Sequence, residues 1–193
     1  MPREKQFDVQ QALDRAMETF WSDGYEATSM QDLLETMGIN RGSFYDTFGS
    51  KHDLFLEALR RFDQTYRENE FRELLERESP REAIISLFKN VLQQCTCSTG
   101  RNGCFLVNTA LELSPRDKEA AAIVQQAFHD TVLFFRKLII RGQKRGEIAP
   151  DVKPTQTARA LLALLIGMRV LARAASPREV LVSIAHEAEA LLH

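Results

Sequence analysis

The 193-residue chain carries 25 Lys and Arg against 27 Asp and Glu, a formal net charge of −2, and 44% of its residues are apolar. That length allows one or two domains with a sizeable core. No run of about 18 apolar residues exists, so no membrane span is expected, and the three Cys, an odd number, argue against a disulfide framework and for a reducing cytoplasm.

The amino terminus, Met1 to Phe7, lacks the apolar core of a secretion signal. Met1 to Gln6 reads either as a frayed polar arm or as an arm whose Arg3 or Lys5 reaches a minor groove. The spacing predicts a first helix from Asp8, with Gln11 completing a capping box and Val9, Ala12, Leu13, Ala16, Met17 and Phe20 forming one stripe. Gly24 ends it and Tyr25 folds back onto it. Trp21 reads as core or boundary rather than ligand contact.

Thr28 to Lys51 holds the most informative pattern. Thr28 with Gln31 and Ser29 with Asp32 both offer a capping box for a second helix. Its apolar face is Met30, Leu33, Leu34 and Met37, and Gly38 suits an exit with positive φ. Asn40 can cap a third helix whose inward face is Phe44 and Phe48. Ser50 and Asp53 box-cap a fourth. Two short helices joined by a tight Gly turn make the helix-turn-helix layout, and the second has the size to enter a DNA major groove.

Gly24-Tyr25, Thr28-Ser29, Gly38-Ile39, Arg41-Gly42-Ser43-Phe44-Tyr45, Phe48 and Ser50-Lys51 together resemble the amino-terminal signature of TetR-type regulators. The resemblance covers roughly the first third of the chain in residue type and spacing. Asp46 and Thr47 depart from the aromatic or His found in many such proteins, and Leu34 from their frequent Ala. The resemblance implies a cytoplasmic transcriptional regulator, most often a repressor, that binds a palindromic operator in double-stranded DNA. It also implies a small-molecule effector cavity in the body, with Phe62, Tyr66, Phe88, Cys104, Asn108, Phe128, Phe134, Phe135 and Met168 as its lining. By position in the same pattern, Tyr45, Thr47 and Lys51 are phosphate or groove contacts.

The residues give their own reading of the head. The start of a recognition helix lies nearest the base edges, which makes Arg41 the candidate for paired hydrogen bonds to a guanine. Ser43 and Gln31 are secondary candidates, and Gly42 lets the backbone approach closely. Lys51, in a first helical turn, opposes the helix dipole and gains little locally, which suits an external phosphate; a solvated surface Lys is the bland alternative. The charge balance runs the other way: residues 1–67 hold eight Lys/Arg and twelve Asp/Glu. Asp8, Asp32 and Asp53 fall at helix starts, so the field near the groove counts for more than the sum.

Beyond the head, a helix from about Lys51 runs past Tyr66 with Phe55, Ala58, Leu59 and Phe62 inward, and the charged stretch that follows continues through Phe71, Leu74 and Leu75. Three similar tetrapeptides, Ser79-Pro80-Arg81-Glu82, Ser114-Pro115-Arg116-Asp117 and Ser176-Pro177-Arg178-Glu179, each predict a helix start with Ser as the cap. The helices so started run from Pro80 to about Cys95, from Pro115 to about Arg145, and from Pro177 to Leu192. Between them lie a short helix, Cys104 to Leu113, and one from about Thr155 to Ala174. This last is apolar almost all round and must be covered on two sides. Leu164, Ile166, Gly167 and Leu171 then need a partner, and a homodimer through the last two helices as a two-fold bundle supplies it; a thick monomer core is the competing reading.

Cys95, Cys97 and Cys104 lie within ten residues. They read as small inert apolar residues, as a thiol sensor built on Cys104 at a helix start, or as ligands for a thiophilic metal. Asn108 needs a partner if buried, and capping a neighbouring chain is the plain option. No Gly-rich phosphate loop, HExxH or nucleophile elbow is present, so no enzyme and no cofactor are expected. The expected fold is all-α: a helix-turn-helix DNA-binding domain over residues 1–50 and a helical effector-binding and dimerisation domain over residues 51–193. A helical adaptor without a DNA role is the remaining alternative.

Overall fold

The computed structural model describes residues 7–77, 79–94 and 102–193. Among them the regular structure is helical: α1 (Val9–Asp23), α2 (Met30–Met37), α3 (Arg41–Phe48), α4 (Lys51–Phe62), a π-helical turn (Asp63–Glu68), α5 (Asn69–Glu76), α6 (Pro80–Gln94), α7 (Phe105–Glu112), α8 (Lys118–Lys144), α9 (Pro154–Arg173) and α10 (Arg178–Ala190). The all-α expectation holds.

Two cores account for the packing. The first joins Ala12, Leu13, Ala16, Met17 and Phe20 of α1 to Leu33, Met37, Phe44 and Phe48, and then to Leu54, Phe55, Leu59 and Phe62 of α4. It continues into α7 through Phe105 and Leu106 and into the first half of α8 through Ala120, Val124 and Ala127. Its centre is an aromatic knot in which Phe55 meets Phe20 at 5.1 Å, Tyr25 at 4.9 Å and Phe105 at 5.4 Å, all nearly perpendicular. The second core gathers Phe71 and Leu74, the inner face of α6, the second half of α8, and Ala158, Leu161, Met168, Leu181 and Ala188. The head therefore does not stop packing at residue 50, because α4 closes it from below.

The local chemistry explains where the helices start. Asp8 accepts the N–H groups of Gln10 and Gln11, and Asn40 accepts that of Ser43 at 2.9 Å. Of the two boxes available to α2, Ser29 with Asp32 forms, while the Thr28 hydroxyl donates to the carbonyl of Gly24 at 2.6 Å. The three Ser-Pro tetrapeptides behave differently from one another. Ser79 caps as expected, accepting from Glu82 N–H at 3.2 Å. Ser114 instead folds back on the Thr109 carbonyl, and α8 starts three residues later on Asp117, whose carboxylate accepts from Glu119 and Ala120 N–H. Ser176 supplies no cap, since the residue before α10 is Pro177. An acid with two well-placed lone pairs replaces the hydroxyl at α8 because it has a second task there, a contact with His52.

That contact belongs to a joint between head and body. His52 Nε2 lies 2.5 Å from Asp117 Oδ2, so His52 is not the plain surface residue its position suggests. Glu112, the last residue of α7, accepts the backbone N–H of Tyr25 at 3.3 Å and of Glu26 at 3.0 Å. Gly24 permits this approach: its φ is +91°, and a Cβ there would stand 2.8 Å from the Glu112 carboxylate. Trp21 Nε1 donates to the Gly103 carbonyl at 3.3 Å.

By length and composition alone α9 is apolar enough to cross a membrane. Arg159 and Arg169 interrupt it, and one side packs on α8 in the second core. Only 17% of its most apolar stretch is buried within one copy.

Candidate nucleic-acid interface and effector cavity

The helix-turn-helix is rigid by local chemistry. Ser29 N–H donates to Asp32 at 2.8 Å and Asp32 N–H to the Ser29 hydroxyl at 3.1 Å; the hydroxyl of Ser29, then its amide, hold the Asp32 carboxyl below its ordinary range. Gly38 leaves α2 in the left-handed region at φ 68°. Phe44 and Phe48 turn inward and are buried. The opposite face of α3 therefore presents Arg41, Gly42, Tyr45 and Asp46 to solvent, with Ser43 and Thr47 half-buried at its edges. Gln31 is exposed on α2.

Arg41 makes no ion pair or hydrogen bond among the described residues, so its guanidinium is available. The Lys51 ammonium stands 4.4 Å from the centre of the Tyr25 ring. Its charge is thus partly engaged, and it also helps to lower Asp32. Of the seven candidate DNA contacts, Arg41, Gly42, Ser43, Tyr45 and Thr47 lie on α3, Gln31 on α2 and Lys51 at the start of α4.

Where α1, the π-helical turn, α5, α6, α7, α8 and α9 converge there is a cavity of about 370 Å³. Phe62, Tyr66, Cys104 and Phe128 line it. The other five expected lining residues do not. Phe88, Phe135 and Met168 are fully enclosed in the second core, and Phe134 is stacked at 4.0 Å on Phe71 beside a separate open groove. Side chains in phase with an inward stripe pack against their neighbours unless the helices splay. Asn108 donates to the Asn102 carbonyl at 2.8 Å and so serves the chain before α7.

Sequence reasoning missed Trp21, Glu70, Asn90, Gln94, Leu106, Val107, Thr131 and Arg169 in the lining. The one legible signal is the Trp21 indole beside a helix end, which in the sequence reads as core or boundary. Burial, then Glu18 and Asp14, raise the Tyr66 hydroxyl above its usual range, keeping it a neutral donor. Cys104 is half-buried at the start of α7. Cys95 and Cys97 lie outside the described residues, and so do Arg3 and Lys5. Among the described residues no three His, Cys, Asp or Glu gather as metal ligands.

A capped helix-turn-helix with an unpaired arginine on its outer face, seated on a hollow helical body, defines a DNA-binding transcriptional regulator. The chain belongs to the TetR family: the model for bacterial regulatory proteins of that family matches residues 12–58, and the tetracyclin repressor-like C-terminal domain matches residues 80–186. It is 33% identical over 184 residues to the HTH-type transcriptional repressor ComR of Escherichia coli, covering 95% of this chain and 88% of ComR. It is 36% identical over 152 residues to the HTH-type regulator YezE of Bacillus subtilis, covering 77% and 76% of the two chains. Among solved structures, a cysteine-substituted variant of the regulator CifR in complex with 26-base-pair operator DNA superposes with a TM-score of 0.86. It is 31% identical, and the match covers 97% of this chain and 98% of that one.

Proposed function

We propose that this protein represses transcription as a homodimer on a palindromic operator and is released when a small molecule enters the cavity between head and body. The observation that carries the reading is the joint. The cavity wall includes Gly103, Cys104, Leu106 and Val107, and α7 leads from there to Glu112, which holds the turn before α2 through two backbone N–H groups. A ligand that displaces the start of α7 also displaces the turn that aims the reading helix. Only a difference in ligand affinity between the two head positions can drive release. In this reading residues 1–50 read DNA and residues 51–193 hold the effector and the partner subunit. The chain acts by binding, without catalysis, in the cytoplasm.

The dimer face is the side of α9 and α10 that one copy leaves open. Val170 and Val180 are 37% and 40% exposed, Leu164, Leu171 and Ile184 are half-buried, and nothing lies within 4 Å of a Cβ added to Gly167. Gly167→Arg therefore leaves one copy's fold untouched and is expected to shift the sedimenting species from dimer to monomer while the helical circular dichroism stays constant. Loss of the dimer also loses the operator, because the two heads must stand about 34–36 Å apart, or a multiple, to enter successive grooves.

The test of the whole reading is selection of bound duplexes from a random pool by the purified protein. A palindromic consensus is expected. Recovery of no preferred sequence would leave a helical binding protein without operator recognition. On the selected duplex, Lys51→Ala is expected to weaken all sequences alike and to reduce the slope of log K against log salt by about 1, as fluorescence anisotropy at several salt concentrations would read.

A further inference from the structure

The polar groups of the cavity are arranged in an unusual way. Glu70 of α5 receives Asn90 Nδ2 at 3.0 Å, and Arg169 of α9 donates to Gln94 Oε1 at 2.8 Å. Asn90 and Gln94 sit one turn apart on α6 and so face the same side. Among the described residues neither Glu70 nor Arg169 has a partner of opposite charge. The other charges of the lining are accounted for. Arg67 is bound by Asp63 through two hydrogen bonds and stands 3.7 Å from Asp130, and Glu73 is exposed at the mouth.

Two opposite charges in one half-enclosed cavity attract each other strongly as water is excluded. Here each is met by a neutral amide instead, and the two stay apart. The amides are turned in opposite senses. With its nitrogen given to Glu70, Asn90 has its carbonyl oxygen left to accept; with its oxygen given to Arg169, Gln94 has its nitrogen left to donate. One side of the site thus carries the negative charge of Glu70 with Asn90 Oδ1 open to accept, and the other the positive charge of Arg169 with Gln94 Nε2 open to donate. The remaining wall carries the aromatic rings of Trp21, Phe62, Tyr66 and Phe128 beside the polar Thr65, Asn69 and Thr131.

Resting on the reading that this cavity holds the effector, we propose that the effector is a zwitterion with an aromatic body: a cationic amine directed to Glu70 and Asn90, a carboxylate directed to Arg169 and Gln94, and a ring against Trp21, Phe62 and Phe128. An aromatic amino acid is the simplest member of that class. An anion alone would leave Glu70 uncompensated, and a cation alone would leave Arg169 so; each is a costly state once the mouth is filled.

Calorimetry with four indoles on the purified protein tests this: tryptophan, tryptamine, indole-3-propionate and indole. Tryptophan is expected to bind at least about tenfold more tightly than either singly charged relative, the difference one charge-assisted hydrogen bond makes. Glu70→Gln is expected to bring tryptophan down to the level of indole-3-propionate, and Arg169→Gln to that of tryptamine. Equal binding of indole and tryptophan, or no heat from any of the four at millimolar concentration, overturns the proposal. Val107→Trp, which fills the cavity, separates the two readings. If it leaves tryptophan binding unchanged, the ligand lies elsewhere and both fall; if it abolishes equal binding of indole and tryptophan, the cavity stands and the zwitterion falls.

Discussion

Phe55→Ala is expected to destabilise the protein by about 3–5 kcal/mol, with the urea midpoint lowered and the slope of the transition unchanged. Phe55 is 1% exposed, so the truncation leaves a hole that water does not fill. The ring meets the edges or faces of Phe20, Tyr25 and Phe105, three residues from α1, the following turn and α7. Such perpendicular aromatic contacts add about 0.5–1.5 kcal/mol each beyond buried area. None of these neighbours can collapse inward without dragging its own helix. Because total stability is about 5–15 kcal/mol, the variant is expected to be marginal at room temperature. Phe55→Leu keeps most of the volume and is expected to lose clearly less. A loss below about 1 kcal/mol for Phe55→Ala would mean that head and body do not share this core.

The head was legible because its signals are local. Ser29, Gly38, Asn40 and Ser50 each act within four residues, so capping chemistry sets where α2 begins and ends and where α3 and α4 begin. The apolar stripes of α1, α4 and α6 were readable for the same reason. What escaped was chemistry between distant segments. Asp117 starts α8 in place of Ser114 because it also serves His52, sixty-five residues away in sequence. Glu112 looks like any surface acid until the turn at Gly24 to Glu26 is brought beside it. The cavity was misplaced toward the second core for a related reason. Helical phase says which side chains point inward, but not where two inward faces fail to meet. Here the π-helical turn Asp63–Glu68 carries Thr65, Tyr66 and Arg67 to the cavity wall.

The same contacts reconcile an acidic head with DNA. Asp14 is held by Arg61, Asp32 by the cap of α2, and Asp53 by Ser50. Glu112 and Asp117 lie on the side toward the body. Burial pushes the Asp117 carboxyl up, and the Ala120 amide, then His52, more than reverse it, so it remains ionised but occupied. On the outer face of α3 the charges left are Arg41 and Asp46. Asp46 opposes a phosphate.

Arg41→Ala is expected to cost about 1–3 kcal/mol on the selected operator and to relax preference at one base pair in each half-site. The argument is positional. Arg41 is the first residue of α3, its side chain has no intramolecular partner among the described residues, and Gly42 beside it adds no bulk, so the guanidinium can present both N–H edges to guanine O6 and N7. The backbone geometry does not depend on it, since Asn40 caps the helix and Phe44 anchors it; stability is expected to change by less than about 0.5 kcal/mol. Arg41→Lys keeps the charge and loses the paired geometry, so it is expected to retain binding to unrelated duplex while losing most of the selectivity. Anisotropy titrations of both variants on the consensus and on its single-base substitutions give the answer directly. If Arg41→Ala lowered affinity for every duplex by the same factor, Arg41 would be a phosphate contact, and readout would pass to Ser43 and Gln31.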